Sequence, residues 1–227
     1  MFRSTFFFVS FFMFLSLVLA FFPSLDIKFS NIFYTGNKQF LIKHYLTGNI
    51  YFYEYIIRRA FLPLLVIFML FFPVVLNFLP KIKKKFPNLI FRTTDIFFIW
   101  ASAAILSIVV NNVLKNGLGR SRPNDIVDFG GSGTFSSWIE YSTECASNCS
   151  FVSGDASVGF FIASFYYISK RKFYFFASLV VGMFLGLTRV AAGAHFLSDI
   201  LMAFIVVNLV LKILHMVYYG MIKWKKA

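Results

Sequence analysis

The chain has 227 residues, of which 59% are hydrophobic and 21% aromatic, with only 14% charged. A soluble domain of this size leaves too much of its surface in water for such a composition, so lipid must solvate most of it. The formal charge of +13 is not a nucleic-acid footprint either, because the basic residues sort by membrane side and form no cluster that needs DNA or RNA as a partner.

A membrane-crossing helix needs about 20 mainly apolar residues. The first window, 5–22, reads as a retained span, since its apolar run is long for a signal core and no small-x-small cleavage site follows. Residues 23–58 form a first outer loop whose mixture of aromatic and basic side chains suits a helix lying at the membrane surface, or an ordinary interfacial belt. Windows 60–79 and 95–114 come next, joined by the short basic connection KIKKKFPNLIFRTT. A second outer loop, 115–152, precedes the last windows at 153–169, 173–189 and 196–219. Unbroken helix is expected within each window, because lipid offers no partner to an unpaired amide.

The expectation is therefore an all-α polytopic bundle of about six transmembrane helices. It forms a single domain over 1–227, with both termini cytoplasmic and the chemistry concentrated in 95–220. With the N-terminus inside, twelve basic residues and one acid, Asp95, face the cytoplasm, whereas the outer side holds nine basic and eight acidic residues. That asymmetry follows the positive-inside rule. The two cysteines, Cys145 and Cys149, share one outer loop, where an oxidising compartment permits a disulfide; two free thiols are the alternative, and two cysteines alone make no metal site.

Three segments break the apolar pattern at the outer helix ends, where charged residues are costly and usually functional. The first runs from Lys115 to Pro123 and supplies Lys115 and Arg122, with Arg120 between them, on a glycine-containing turn suited to an oxyanion. The second is Ser153-Gly154-Asp155, where Ser153 is either an N-cap or part of an anion-binding helix start. The third runs from Arg189 to Asp199. His195 and Asp199 are four residues apart, on one face of a helix beginning near His195, so the carboxylate can orient the imidazole as nucleophile or base.

In order, K-x6-R-P, S-G-x and R-x5-H-x3-D resemble the signature of the type 2 phosphatidic acid phosphatase family. The resemblance implies that His195 attacks phosphorus to give a phosphohistidine, that Asp199 supports it, and that Lys115, Arg122 and Arg189 hold the phosphoryl oxygens. It implies no metal ion and no cofactor. One departure stands out: Asp155 occupies the place of the family's histidine, which protonates the leaving oxygen.

The stretch from Asn148 to Phe160 resembles the lipid A 4′-phosphatase branch, in which an Asp takes this place, and Phe22 to Tyr34 is similar to it as well. The implied protein is a hydrolase of the bacterial inner membrane with a periplasm-facing site and a membrane lipid, lipid A, as substrate. Dephosphorylation would lower the negative charge of the envelope, a route to resistance against cationic peptides. The alternatives are phosphatases of undecaprenyl diphosphate, phosphatidylglycerophosphate or lipid A 1-phosphate, and a non-catalytic lipid-phosphate-binding or transport protein. His44 is a conceivable replacement acid, and His215, at the inner end of the last window, reads as structural.

Overall fold

The computed structural model describes residues 3–42, 56, 58–79, 84 and 91–224. Helix α1 (Arg3–Phe21) stops one residue before Pro23, which opens α2 (Pro23–Asn31) at a position where its missing amide hydrogen does no harm; the two helices are bent by 97°. A small antiparallel hairpin follows, β1 (Tyr34–Gly36) and β2 (Gln39–Phe40), turning through Asn37 and Lys38 at φ of 50° and 59°. It is a minor β addition to a mostly helical chain. His44 lies outside the described residues.

Helix α3 (Leu62–Phe78) and α4 (Thr93–Ser107) come next, and α4 runs through a π-helical segment, Ile108–Leu114, into the short α5 (Lys115–Leu118). After a long loop come α6 (Gly154–Phe160), α7 (Ala163–Ser169), α8 (Lys172–Ala191) and α9 (Leu197–Trp224). Among the described residues, four helical stretches, Arg58–Phe78, Thr93–Asp125, Lys172–Ala191 and Leu197–Gly220, are long and apolar enough to cross a membrane; the bent pair α1 and α2 makes a fifth if taken as one span. Exposed Phe68, Phe71, Phe97, Val180, Phe184 and Ile213 on these stretches give the bundle an apolar exterior. The chain is a multi-pass membrane protein.

The expectation of unbroken helix fails in the windows 153–169 and 95–114, and 60–79 opens on two π-helical residues. The window 153–169 divides at Phe161 and Ile162 into two seven-residue helices. Its amides nevertheless stay bonded, with Phe161 N–H donating to Ser157 O at 2.9 Å and Ser164 N–H to Phe161 O at 2.9 Å. The second irregularity is the π segment, where Lys115 N–H donates five residues back to Val110 O. Both lie beside the polar segments, and irregular backbone is tolerated at membrane depth where protein surrounds it and its hydrogen bonds are made.

Packing fixes α6 at the centre. A Cβ on Gly159 would sit 2.6 Å from Gly182 Cα, so α6 and α8 touch backbone to backbone through small residues. On α9, Phe204 meets Phe12, Phe160 and Phe175 at ring separations of 4.6, 5.2 and 6.2 Å, tying α1, α6 and α8 to one buried helix. A second apolar cluster, Phe40, Ile126, Phe129 and Phe196, lies where the hairpin packs on the long loop. That loop is fastened by Ser142 N–H to Leu118 O, Cys145 N–H to Gly119 O and Ser150 N–H to Arg120 O, all near 3 Å. Cys145 and Cys149 are joined in a disulfide within it.

His215 lies twenty residues beyond His195 on α9, remote from the polar segments. It stacks on Tyr219 at 4.6 Å and its Nε2 is 2.9 Å from Lys170 Nζ, while Tyr219 donates to Asp95 at 2.6 Å. This is a packing cluster, as the sequence suggests.

Candidate active site

The turn Ala192-Gly193-Ala194 joins α8 to α9 and presents His195. Gly193 has φ +67°, and a Cβ there would strike the Phe40 ring at 2.3 Å. Only glycine accepts both conditions. Asn124 N–H donates to Gly193 O at 2.9 Å, so the long loop holds the turn from its other side.

Asp199 is the third residue of α9 and fully buried. Its Oδ2 accepts from Phe196 N–H at 2.8 Å and from Ser150 Oγ at 2.5 Å, and its Oδ1 accepts from Arg120 Nη1 at 2.5 Å. An acid at this position also suits the positive end of the helix. With those bonds fixed, Oδ2 stands 3.5 Å from His195 Nδ1, longer than a formed hydrogen bond but close enough to tighten when a ligand arrives. Burial lowers the His195 pKa below its ordinary 6.5; Asp199 opposes this, and Arg189 and Arg122 add to it. The imidazole is therefore neutral at pH 7, with a lone pair to give.

Arg120, which lies between Lys115 and Arg122 in the first segment, is turned away from any ligand. Its side chain is buried and spent on protein partners: Nη2 on Asp26 Oδ2 at 2.9 Å, Nη1 on Asp199 and on Ser198 Oγ, and Nε on Ser136 O at 2.8 Å. Phe196 lies under the guanidinium at 4.3 Å. Asp26, from α2, also accepts from the Ser198 hydroxyl and, at 3.2 Å, from its amide. A buried Arg between two carboxylates is a rigid brace, and here it holds the carboxylate facing His195.

The other cations gather on the ligand side. Arg122 donates from Nε and Nη2 to Asn148 O at 3.2 and 2.6 Å, and Lys115 Nζ reaches Asn148 Oδ1 at 3.4 Å. Arg189 Nε is 3.4 Å from Asp155 Oδ2 and Arg58 Nε is 3.5 Å from the same oxygen. Lys115 lies within electrostatic reach of Arg122, Asp155, Arg58 and Arg189. A cavity of about 810 Å³ opens onto this group, lined among others by Arg58, Arg59, Lys115, Gly154 and Asp155. An apolar cleft of about 190 Å³ adjoins it, sharing Val66, Asn111, Gly154 and Val158 and continuing along Met69, Leu106 and Phe161. Among the described residues, no three His, Cys, Asp or Glu side chains are grouped to hold a metal ion.

Residues 96–222 match the PAP2 superfamily, which spans more than half of the chain. The chain belongs to the PAP2 superfamily. A lipid A 4′-phosphatase of Francisella tularensis subsp. novicida is 35% identical over 184 residues, covering 79% of each chain. A lipid A 4′-phosphatase of Rhizobium leguminosarum is 35% identical over 101 residues, 43% of each chain. A lipid A 1-phosphatase of Rhizobium etli is 34% identical over 116 residues, 48% of this chain and 47% of its own. No solved structure gave a significant match. As a PAP2 member with phosphatase relatives, the chain is a phosphoric monoester hydrolase.

Within this PAP2 chain, the fold brings His195, Asp199, Arg189, Asp155, Lys115 and Arg122 to one end of the bundle. Gly154 lines the mouth, but the Ser153 hydroxyl does not reach it: Ser153 is fully buried and caps α6 by accepting from Ala156 N–H at 3.4 Å. Asp26, Ser150, Ser198, Asn148 and Arg58 join the candidate site although none is a fixed position of the three motifs. The one available signal was an unsatisfied requirement, since a buried Arg120 needs acids and the sequence does not say which.

Proposed function

We propose that the chain is a lipid A phosphatase of a bacterial inner membrane, acting at the 4′ position through a phosphohistidine on His195. The observation that carries this reading is the His195 and Asp199 pair set beside Lys115, Arg122 and Arg189, in a chain similar over 79% of its length to a lipid A 4′-phosphatase. We place six spans in the membrane, counting α1 and the α6 and α7 pair, with both termini cytoplasmic and the site facing the periplasm. The long loop and hairpin cover that end.

In the first step, neutral His195 attacks phosphorus with Nε2 while Nδ1–H turns to Asp199. A phosphorus–nitrogen bond forms, the bond to the sugar oxygen breaks, and that oxygen takes a proton from water or from Asp155 in its protonated form. Water then displaces the histidine and releases inorganic phosphate. Lys115, Arg122 and Arg189 neutralise the charge spread over the three non-bridging oxygens, the main protein contribution to phosphoryl transfer. Asp155 occupies the family's acid position; an acid role there requires Asp155→Asn to lower kcat by about 10²–10⁴-fold. Substrate chains fit the apolar cleft beside the mouth, which at about 190 Å³ takes a short hydrocarbon segment.

The deciding experiment is mass spectrometry of lipid A from a strain lacking its own lipid A phosphatases, expressing this chain or His195→Ala. Loss of one phosphate with the wild type alone supports the reading, and fragmentation assigns the position. The 1-phosphatase relative makes the 1 position the second reading. Unchanged lipid A at verified membrane expression would refute the substrate.

A further inference from the structure

Asp155 presents a problem of charge. An anion placed inside a phosphate cage competes with the phosphate for the same cations, and a carboxylate in place of the family's histidine should weaken substrate binding. The structure supplies a compensation. Arg58, at the head of the stretch that becomes α3, brings its Nε to 3.5 Å from Asp155 Oδ2, the oxygen that Arg189 Nε approaches at 3.4 Å. Arg58 and Asp155 thus add one charge of each sign to the group of Lys115, Arg122 and Arg189, with Arg59 also lining the cavity.

An arginine at a helix head near lipid head groups is often only an anchor. Three observations set Arg58 apart. Its guanidinium is turned onto a residue of the cage, it acts electrostatically on both Lys115 and Arg122, and it lines the same cavity as Lys115, Gly154 and Asp155. We infer that Arg58 is a fourth cationic member of the phosphate site, with its charge matched by Asp155, so that the Arg58 and Asp155 pair sets affinity for the phosphoryl group. The inference rests on the phosphatase reading above. It concerns binding and takes Asp155 as the carboxylate, a form with no proton to donate, so an acid role would require Asp155 to take up a proton after phosphate is bound.

The pair makes a signed prediction. Removing Asp155's charge leaves one cation in excess, and removing Arg58's leaves one too few. The test is binding of inorganic phosphate to the purified full chain in detergent, read as the phosphate-dependent rise in unfolding temperature, which works equally for inactive variants and reports folding directly. Asp155→Asn should tighten apparent phosphate affinity by about three- to tenfold, and Arg58→Gln should weaken it by a similar factor. The double variant should return to within about twofold of wild type. Arg58→Lys, which keeps the charge, should stay near wild type.

If Arg58→Gln binds phosphate as wild type does, and the double variant matches Asp155→Asn alone, Arg58 is an anchor and the inference is overturned. Failure of Arg58→Lys to restore affinity would likewise show a packing role instead of a charge role. The phosphatase reading fails in a different way. In that case the wild type shows no phosphate response and no His195-dependent hydrolysis, and the inference falls with it.

Discussion

Arg120 shows how one residue can look like a ligand group and serve as a brace. It lies two positions from Arg122 in a basic turn, yet one guanidinium is withdrawn between Asp26 and Asp199 while the other donates to the Asn148 carbonyl. Breaking a buried ion pair by removing one partner is costly, because the other charge stays buried and unmatched. Asp26→Ala should therefore destabilise the protein by about 3–5 kcal/mol, read as a lower unfolding temperature in detergent. A change within a few tenths of a kcal/mol would mean that Arg120 is held by Asp199 and Ser136 alone. His195 gives a second prediction at this scale. Burial lowers its pKa, so protonation, and with it loss of the nucleophile, comes only below 6.5. The acidic limb of kcat/KM should fall below that pH. The unfolded chain binds this proton first, so folding stability should also decline as pH drops below 6.5. An acidic limb above 6.5 would show that the attraction of Asp199 outweighs burial.

At the scale of elements, the motif spacing already tells most of the site. R-x5-H-x3-D becomes the end of α8, a glycine turn and the first turn of α9, because Gly193 allows the chain to reverse and Asp199 favours the positive end of a helix. What hydropathy could not show is the division of 153–169. An apolar count treats Phe160, Phe161 and Ile162 as helix interior, whereas close contact of Gly159 with Gly182 and the aromatic packing around Phe204 decide where α6 ends. Those contacts are long-range, and Asp26 likewise meets Arg120 from 94 residues away. Such pairings leave no local pattern in one chain. The same contact can be tested. Gly182→Leu would drive a side chain into Phe160, whose ring already lies 2.1 Å from a Cβ placed there. Displacing α6 moves Gly154 and Asp155 with it, so activity should fall by at least about tenfold while the chain still inserts, since overpacking typically costs about 1–3 kcal/mol. Full activity in Gly182→Leu would show that α6 has room to shift without moving the site.

For the whole molecule, the question is which side of the membrane the site faces. The described structure gathers the phosphate-side residues at one end and the Asp95, Lys170 and His215 cluster at the other. Arg92, over the Tyr219 ring, and Lys170, beside His215, lie with the second end, which on the positive-inside rule would be the cytoplasmic one. If the substrate is lipid A, as proposed, the reaction depends on this orientation, because a periplasmic site would meet it only after it had crossed to the outer leaflet, whereas a cytoplasmic site would act before export. Single cysteines decide it, in a background where Cys145 and Cys149 are replaced by serine. Asp128 and Arg171 are exposed residues at opposite ends of the bundle. A membrane-impermeant maleimide applied to spheroplasts should label Asp128→Cys at once and Arg171→Cys only after permeabilisation. The reverse pattern would turn the protein over, move the chemistry to the cytoplasmic leaflet and require a substrate available there. Labelling of both before permeabilisation would show instead that the number of spans between them is even, and that α6 and α7 do not together cross the bilayer.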